Sequence, residues 1–283
     1  MKFHVLVDNN TLIDRYFVGE PAASYLIEDG NERILFDVGY SGAFLQNARK
    51  LNQDLRQLDY LVLSHGHMDH TWGLDPFIRS YTEAAIEKIP CNKPRVITHP
   101  DTFLGKHMPG FPEMGSIVSQ EAVAKSFDLH LSKEPVWLND RLVFLGEIER
   151  YTSFEARLPM GKITRAGIVE DDYLYEDSAL AYRAKEGLVI ITGCSHAGIC
   201  NIVKQAQRVC QEERIIDIIG GLHLLNPSQE QMQGTLHFLQ SLQLKQLHAC
   251  HCTDLASKIA LSQVVRLEEI GVGSCLCYDE SND

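Results

Sequence analysis

Short apolar or alternating runs rich in β-branched residues recur at 3–8, 24–28, 33–37, 60–64, 95–98, 141–145, 178–183, 187–192, 215–220, 246–250 and 272–278, and each predicts a strand. So many strands imply an extensive sheet system. Helical periodicity is clearest over 196–210, where Ile199, Ile202, Val203, Ala206, Val209 and Cys210 follow i, i+3, i+4, i+7 spacing. A second helix is expected over 227–242, with Met232, Leu236, Leu239 and Leu242 in one stripe. Asn226 is its expected cap, with Pro227 at the first helical position and Gln229 three residues after the cap. Between about 100 and 175 the texture changes: Pro, Gly, Met and aromatic residues cluster from Lys106 to Gly115 and periodicity weakens. This stretch is expected to be an inserted, lid-like segment in a single domain spanning 1–283, because long irregular loops are uncommon unless they serve a site or are disordered.

Of the 283 residues, 45% are hydrophobic and 23% charged, enough for a large buried core without disulfide staples. Lys plus Arg number 26 against 38 Asp plus Glu, a net charge of −12 with no dense basic run, so a nucleic-acid partner is not expected. The longest apolar stretches fall far short of the roughly 18 residues that a membrane span requires. The N-terminus turns polar at Asp8 and lacks the apolar core of a secretory signal, which points to the cytoplasm. In that reducing compartment the eight cysteines are expected to be thiols. The Cys250/Cys252 and Cys275/Cys277 pairs are read as packed strand residues in preference to a four-thiolate site, because i and i+2 share a strand face and Cys packs as a small hydrophobe.

The chemistry is concentrated after the strand Tyr60-Leu61-Val62-Leu63, where Ser64-His65-Gly66-His67-Met68-Asp69-His70 packs imidazole and carboxylate donors together. A strand that releases such a cluster into a loop places it at the carboxyl edge of a sheet, where α/β proteins build sites. His65 and His67 can face one cation, and Asp69 and His70 a second, with Gly66 letting the backbone turn between the first pair. Without a cation these groups would be costly to bury.

His65-x-His67-x-Asp69-His70 after a hydrophobic strand resembles the signature of the metallo-β-lactamase fold superfamily. The resemblance extends through Ile34-Leu35-Phe36-Asp37-Val38-Gly39, Gly146-Glu147-Ile148-Glu149-Arg150, Asp177-Ser178-Ala179-Leu180, Thr192-Gly193-Cys194-Ser195-His196, Gly220-Gly221-Leu222-His223 and His251-Cys252-Thr253. These occur in the order of the branch that resembles the dihydropterin-type synthases of the methanopterin pathway. The resemblance implies an α/β fold, the four-layer αββα metallo-β-lactamase sandwich. Three positions depart from the branch: Glu20-Pro21-Ala22-Ala23-Ser24 lacks a histidine, Trp72-Gly73 stands where Gly-Gly is usual, and Asp254 replaces a glycine after the last motif. They bear on substrate identity more than on fold.

The superfamily pattern implies further ligands from later loops, for which His196 and His251 are the candidates. No carboxylate follows Gly193, so the bridging position falls to Cys194, to His196 or to solvent alone. His99 and His223 are reserve candidates for ligation or substrate contact, and Asp37 is expected to orient a ligand imidazole, with a strand-end turn as its other reading. Trp72 is either a wall of the cavity or an ordinary packed residue, and Arg150, Glu147 and His107 are nominated as substrate contacts. Two cations roughly 3.5–4 Å apart would lower the pKa of a shared water toward about 7. Asp69 would then hold the second cation and orient or deprotonate the water, while His223 or a second water protonates the leaving group. Nitrogen and oxygen donors fit zinc, with manganese or iron as alternatives. His67 stands where oxygen-reducing relatives carry Glu, which argues against redox chemistry. The expected activity is hydrolysis of a phosphoryl- or acyl-type bond in a small anionic metabolite. The alternatives are a synthase joining a dihydropterin methyl diphosphate to an arylamine, and a noncatalytic metal-dependent ligand sensor.

Overall fold

The computed structural model of the chain describes residues 1–279. In chain order the elements are β1 (Lys2–Val7), β2 (Ser24–Asp29), β3 (Glu32–Phe36), α1 (Ala43–Lys50), β4 (Tyr60–Val62), α2 (Met68–Thr71), α3 (Leu74–Ile86), β5 (Arg95–Thr98), β6 (Lys106–His107), α4 (Gln120–Ser126) and β7 (Asp128–Leu131). There follow β8 (Val136–Trp137), β9 (Leu142–Phe144), β10 (Lys162–Arg165), β11 (Ile168–Asp171), β12 (Ala179–Ala184) and β13 (Gly187–Thr192). The last are α5 (Ile199–Cys210), β14 (Ile215–Gly221), α6 (Gln229–Ser241), β15 (His248–Cys250), α7 (Leu255–Leu261) and β16 (Cys275–Cys277). Every strand expected from the apolar runs is present, with ends moved by a few residues.

The chain divides into two compact units, one of Met1–Ser132, Gly161–Glu170 and the chain from Gly271 onward, the other of Lys133–Met160 and Asp171–Ile270. The first unit holds a sheet ordered β16-β1-β2-β3-β4-β5-β7 and a small sheet ordered β11-β10-β6. In the larger sheet β3, β4, β5 and β7 run parallel to one another, while the pairs β16-β1, β1-β2 and β2-β3 are antiparallel. Its core joins Leu26, Leu35, Leu61, Leu63 and Val96 of the sheet to Phe44 of α1, to Leu74, Phe77 and Tyr81 of α3 and to Val123 of α4. Leu74, Phe77, Tyr81 and Ala84 form the buried stripe of α3, at the spacing a helix needs to bury one face.

The second unit holds a sheet ordered β15-β14-β13-β12-β9-β8, in which β13, β14 and β15 are parallel. Parallel strands need long crossovers, and α5 and α6 are those crossovers. All six residues of β13 are buried, which is why its sequence reads as a continuous apolar run without alternation. Ile199, Ile202, Val203, Ala206 and Cys210 of α5 pack on Leu188, Ile190 and Ile218, and each such fully buried aliphatic side chain contributes on the order of 1.5–3 kcal/mol.

One expectation, the cap of α6, is corrected. The cap of α6 is Ser228, whose Oγ accepts from Gln231 N at 3.1 Å, while Asn226 lies outside the helix at φ 47°. The stretch 100–175 carries α4, the edge strand β7, β8 and β9 and the small sheet, so much of it is regular structure distributed over both units. Its weak periodicity reflects strands of two to four residues, too short to show a period. All eight cysteines are thiols. Among the described residues no helix is long and apolar enough to cross a membrane.

Loss of a Ser cap costs about 1 kcal/mol. Ser228→Ala should therefore lower stability in urea unfolding by about that amount, and an unchanged midpoint would show that Ser228 does not cap α6.

Candidate functional site

In the first unit three adjacent parallel strands, β3, β4 and β5, end side by side, and their carboxyl ends release Asp37, Ser64-His65 and His99. Asp37 is fully buried at φ 58° and accepts three hydrogen bonds: Ser64 N to Oδ1 and Ser64 Oγ to Oδ2, both at 2.7 Å, and His70 Nδ1 to Oδ2 at 2.7 Å. This fixes the His70 tautomer so that Nε2 faces the Asp69 carboxylate, 3.6 Å from Oδ2. His65 Nε2 and His67 Nδ1 lie 3.1 Å apart, and the His65 and His70 rings are 4.3 Å apart between centroids. His65 and His70 are fully buried and His67 nearly so. Ring nitrogens and carboxylates are donors a divalent cation takes, and Asp69 and His70 belong to one set of side chains whose donor atoms lie close enough together to hold an ion, His65 to another.

Gly66 is explained by contact and not by a turn. A Cβ at this position would lie 2.3 Å from Thr102 O and 2.9 Å from Cε of the buried Lys106, so the loop is glycine because another segment presses on it. That segment also takes the Met68 amide on Met114 O at 2.9 Å and the Trp72 indole N–H on Gly115 O at 2.8 Å. Trp72 is stacked on Tyr40, centroids 5.0 Å apart, and the Tyr40 and Ser41 amides donate to Glu20. Trp72, one of the three departures from the branch pattern, thus stacks on the turn that Glu20 closes in the first unit.

In the second unit β13, β14 and β15 end together, and the residues after them are Cys194-Ser195-His196, Leu222-His223 and His251-Cys252. Ser195, His223 and His251 all sit at left-handed φ, of 64°, 48° and 48°. Gly221 makes the assembly possible, since a Cβ there would lie 2.5 Å from Gly193 O and 2.6 Å from Cys252 Sγ. His251 Nε2 is 3.2 Å from Cys194 Sγ, and the His196 and His223 rings lie 4.2 Å apart. Burial penalises the Cys252 thiolate, but the Cys194 hydrogen bond and the charges of His251 and His223 outweigh it and hold the thiol well below its ordinary range.

Buried carboxyls set the approach to this second cluster. Asp177 Oδ2 accepts Ala197 N at 2.8 Å, next to His196, and burial pushes its carboxyl from 3.8 up to about 7 although the Ala197 amide and Arg150 pull the other way. Glu155 accepts the amides of Cys200 and Asn201 at 3.1 and 3.2 Å, at the start of α5, while Asn201 Oδ1 accepts the amides of Tyr151 and Thr152. Glu155 is not singled out by the sequence, because a cap supplied from a distant segment leaves no local spacing. The 153–160 segment held this way forms one wall of a cleft of about 500 Å³, with His196, His223 and residues 225–228 also lining it. Arg157 is the cleft's basic lining residue, and Phe154, Leu158, Met160 and Leu225 give it apolar surface.

Among the nominated substrate contacts, none of Arg150, Glu147 and His107 lines this cleft. The Arg150 guanidinium is buried on the carbonyls of Tyr173 and Leu174, Glu147 pairs with Lys133 at 3.2 Å, and His107 Nε2 meets Thr164 Oγ1 at 2.8 Å. His99 Nδ1 accepts Asp101 N at 3.1 Å, in the turn after β5.

Residues 18–88 match the family model described as the metallo-beta-lactamase superfamily. An uncharacterized protein of Methanocaldococcus jannaschii, MJ0448, is 30% identical over 261 residues, which is 92% of this chain and 93% of that protein. The chain belongs to the metallo-beta-lactamase superfamily. A second relative from the same organism, 29% identical over 267 residues and covering 89% of this chain and 87% of its own, is named 7,8-dihydropterin-6-methyl-4-(beta-D-ribofuranosyl)-aminobenzene-5'-phosphate synthase. The crystal structure of Tm1679, described as a metal-dependent hydrolase of the beta-lactamase superfamily, superposes with a TM-score of 0.82 at 28% identity and covers all of both chains. The mixed α/β fold with several sheets is thus that of metallo-beta-lactamase superfamily members.

Two outcomes are expected. A partner that orients a metal-ligand imidazole is commonly worth about 10- to 100-fold in metal affinity, so Asp37→Asn should weaken divalent-metal binding by that factor in chelator competition, and unchanged affinity would remove Asp37 from this role. A carboxyl held at about 7 when folded and near 3.8 when unfolded binds its proton more tightly in the folded state, so Asp177 makes stability fall as pH rises between those values. Asp177→Asn cannot ionise, and its stability relative to wild type should improve steadily from about pH 4 to about pH 7 in urea melts; a constant difference would mean that Asp177 is ionised throughout.

Proposed function

We propose that this metallo-beta-lactamase superfamily member is a metal-dependent hydrolase that cleaves a phosphoryl- or acyl-type bond in a small anionic metabolite. The observation that carries the reading is the cluster of buried His65, His67 and His70 with the half-buried Asp69 beside them, in which Asp37 fixes His70. His65, His67, Asp69 and His70, with His196 and His251, are the proposed ligands of two divalent ions, zinc by donor chemistry, and Cys194 or solvent is the proposed bridge. Bound ions of this kind supply a nucleophilic water at neutral pH and positive charge for the developing oxyanion.

The chain's own residues do the rest. Asp69 orients the attacking water and accepts its proton, and His223, which lines the cleft beside His196, returns a proton to the departing oxygen. Arg157 pairs with the substrate's anionic group, and the apolar walls take its carbon skeleton. The water oxygen forms the new bond, the bond to the leaving oxygen breaks, and the proton lost by water is balanced by the one given by His223.

A second reading is favoured by the named synthase relative at 29% identity over most of the chain. There an arylamine replaces water as the nucleophile and diphosphate leaves from a dihydropterin methyl diphosphate. The fold, the ligands and the cleft are the same in both readings, so the acceptor distinguishes them.

The test begins with metal content by mass spectrometry on untagged protein purified without chelator. About two zinc ions per chain are expected, falling in His67→Ala and in His251→Ala. The same preparations are then assayed on a panel of phosphoesters and lactones, and on a dihydropterin methyl diphosphate with and without an arylamine. Metal-dependent turnover without the amine supports hydrolysis, and diphosphate release that requires the amine moves the reading to transfer. Substoichiometric metal, unaltered by both substitutions, would sink the catalytic proposal in favour of a ligand-binding role.

A further inference from the structure

The residues that follow His251 in the second unit do more than carry a histidine. Three consecutive side chains each receive a backbone amide of the loop after β14: Cys252 Sγ from His223 N at 3.3 Å, Thr253 Oγ1 from Leu222 N at 3.1 Å, and Asp254 Oδ2 from Asn226 N at 2.8 Å. The backbone closes the same seam, with Asp254 N donating to Leu224 O at 3.0 Å and a parallel bridge between Leu224 and Thr253. Asp254 is the outermost of the three and has two tasks, since its Oδ1 also accepts Ser257 N at 2.7 Å and so caps α7. The Asn226 and Ser257 amides hold its carboxyl below the usual carboxylate range.

The loop it grips needs a restraint. His223 and Asn226 occupy left-handed φ values of 48° and 47°, strained conformations for a non-glycine residue unless the surroundings impose them. His223, Leu225, Asn226, Pro227 and Ser228 all line the cleft, so the conformation of this loop is the shape of one cleft wall. Glycine at 254, the residue usual in the resembling branch, would offer no acceptor for the Asn226 amide and no cap for α7.

We propose that Asp254 is a positioning residue that pins Asn226, and through it fixes His223 and the 225–228 rim of the cleft in the geometry that receives the substrate's anionic group. The functional half of this inference rests on the hydrolase reading above; the structural half does not. Asp254 itself touches neither substrate nor metal ligand. It acts by denying the loop its relaxed conformations, which confines its effect to binding and to the proton delivered by His223.

The experiment is amide hydrogen exchange by mass spectrometry on the full chain, for wild type, Asp254→Asn and Asp254→Gly, together with steady-state kinetics on p-nitrophenyl phosphate after zinc loading. In Asp254→Gly, exchange across 222–228 should rise about tenfold, as expected for one lost hydrogen bond, with peptides from β13 and α5 unaltered. Asp254→Asn keeps an acceptor at the same place and should restore protection. For the probe, KM should rise about tenfold in Asp254→Gly with a smaller change in kcat and zinc content unchanged. Unchanged exchange over 222–228, or a rise spread evenly over the second unit, overturns the pin. A loosened loop with wild-type KM and kcat overturns its role in the site, and a wild type that turns over no phosphoester counts against the hydrolase reading while leaving the exchange result to decide the pin.

Discussion

A fully buried carboxylate must be satisfied, and the way Asp37 is satisfied organises the first unit's cluster. It sits at the end of β3 in a left-handed conformation and takes two hydrogen bonds from Ser64 and one from His70. Those three bonds connect the ends of β3 and β4 to α2. They also decide which nitrogen of His70 is presented to Asp69. The second unit uses the same device with different partners: buried Asp177 receives the Ala197 amide beside His196, and buried Asp217 in β14 holds the ring of His248 in β15 at 2.9 Å. In each case a buried carboxyl is held by hydrogen bonds from a neighbouring segment, and for Asp37 and Asp177 that segment lies next to a histidine of the site.

Parallel pairing is the second constraint. Adjacent parallel strands present their carboxyl ends at one edge, so β3, β4 and β5 bring Asp37, His65 and His99 level, and β13, β14 and β15 bring Cys194, His223 and His251 level. The loops at these ends are short and several of their residues adopt left-handed φ, a strain that the core on either side of the strands imposes. Glycine is spent where backbones nearly touch, at Gly66 against Thr102 and at Gly221 against Gly193. The 102–115 segment, irregular in its own sequence, is ordered by what it covers: the Met68 amide and the Trp72 indole are its anchors.

Two of the departures from the resembling branch, Trp72 and Asp254, acquire local reasons. Glu20 closes the turn at Tyr40 and Ser41, Trp72 stacks on that same Tyr40, and Asp254 joins the loop of His223 to α7. None of them replaces a donor in the clusters. They alter how the surrounding loops are held, which is where substrate selection resides in a fold whose metal ligands are shared by many activities.

The strands were legible in the sequence because burial on both faces demands uninterrupted runs such as Gly187–Thr192, and α5 because one buried face demands a 3.6-residue period. The His65–His70 cluster was legible for a related reason: its donors are contiguous, so spacing alone exposes them. Helices α1 and α3 and the cap of α6 were missed or misplaced, since Pro76 interrupts the start of α3 and both Asn226 and Ser228 are acceptable caps by residue type. Glu155 and Lys106 gave no signal, because each meets its partners across segments far apart in the chain. The sequence by itself determined the eleven strands with apolar runs, the buried face of α5, and that a contiguous donor cluster follows β4. Tertiary structure alone decided that Cys194, His223 and His251 stand side by side and that Asp254 reaches Asn226, because strand order and loop contact are set by hydrogen bonds between segments dozens of residues apart, for which no local spacing carries a record.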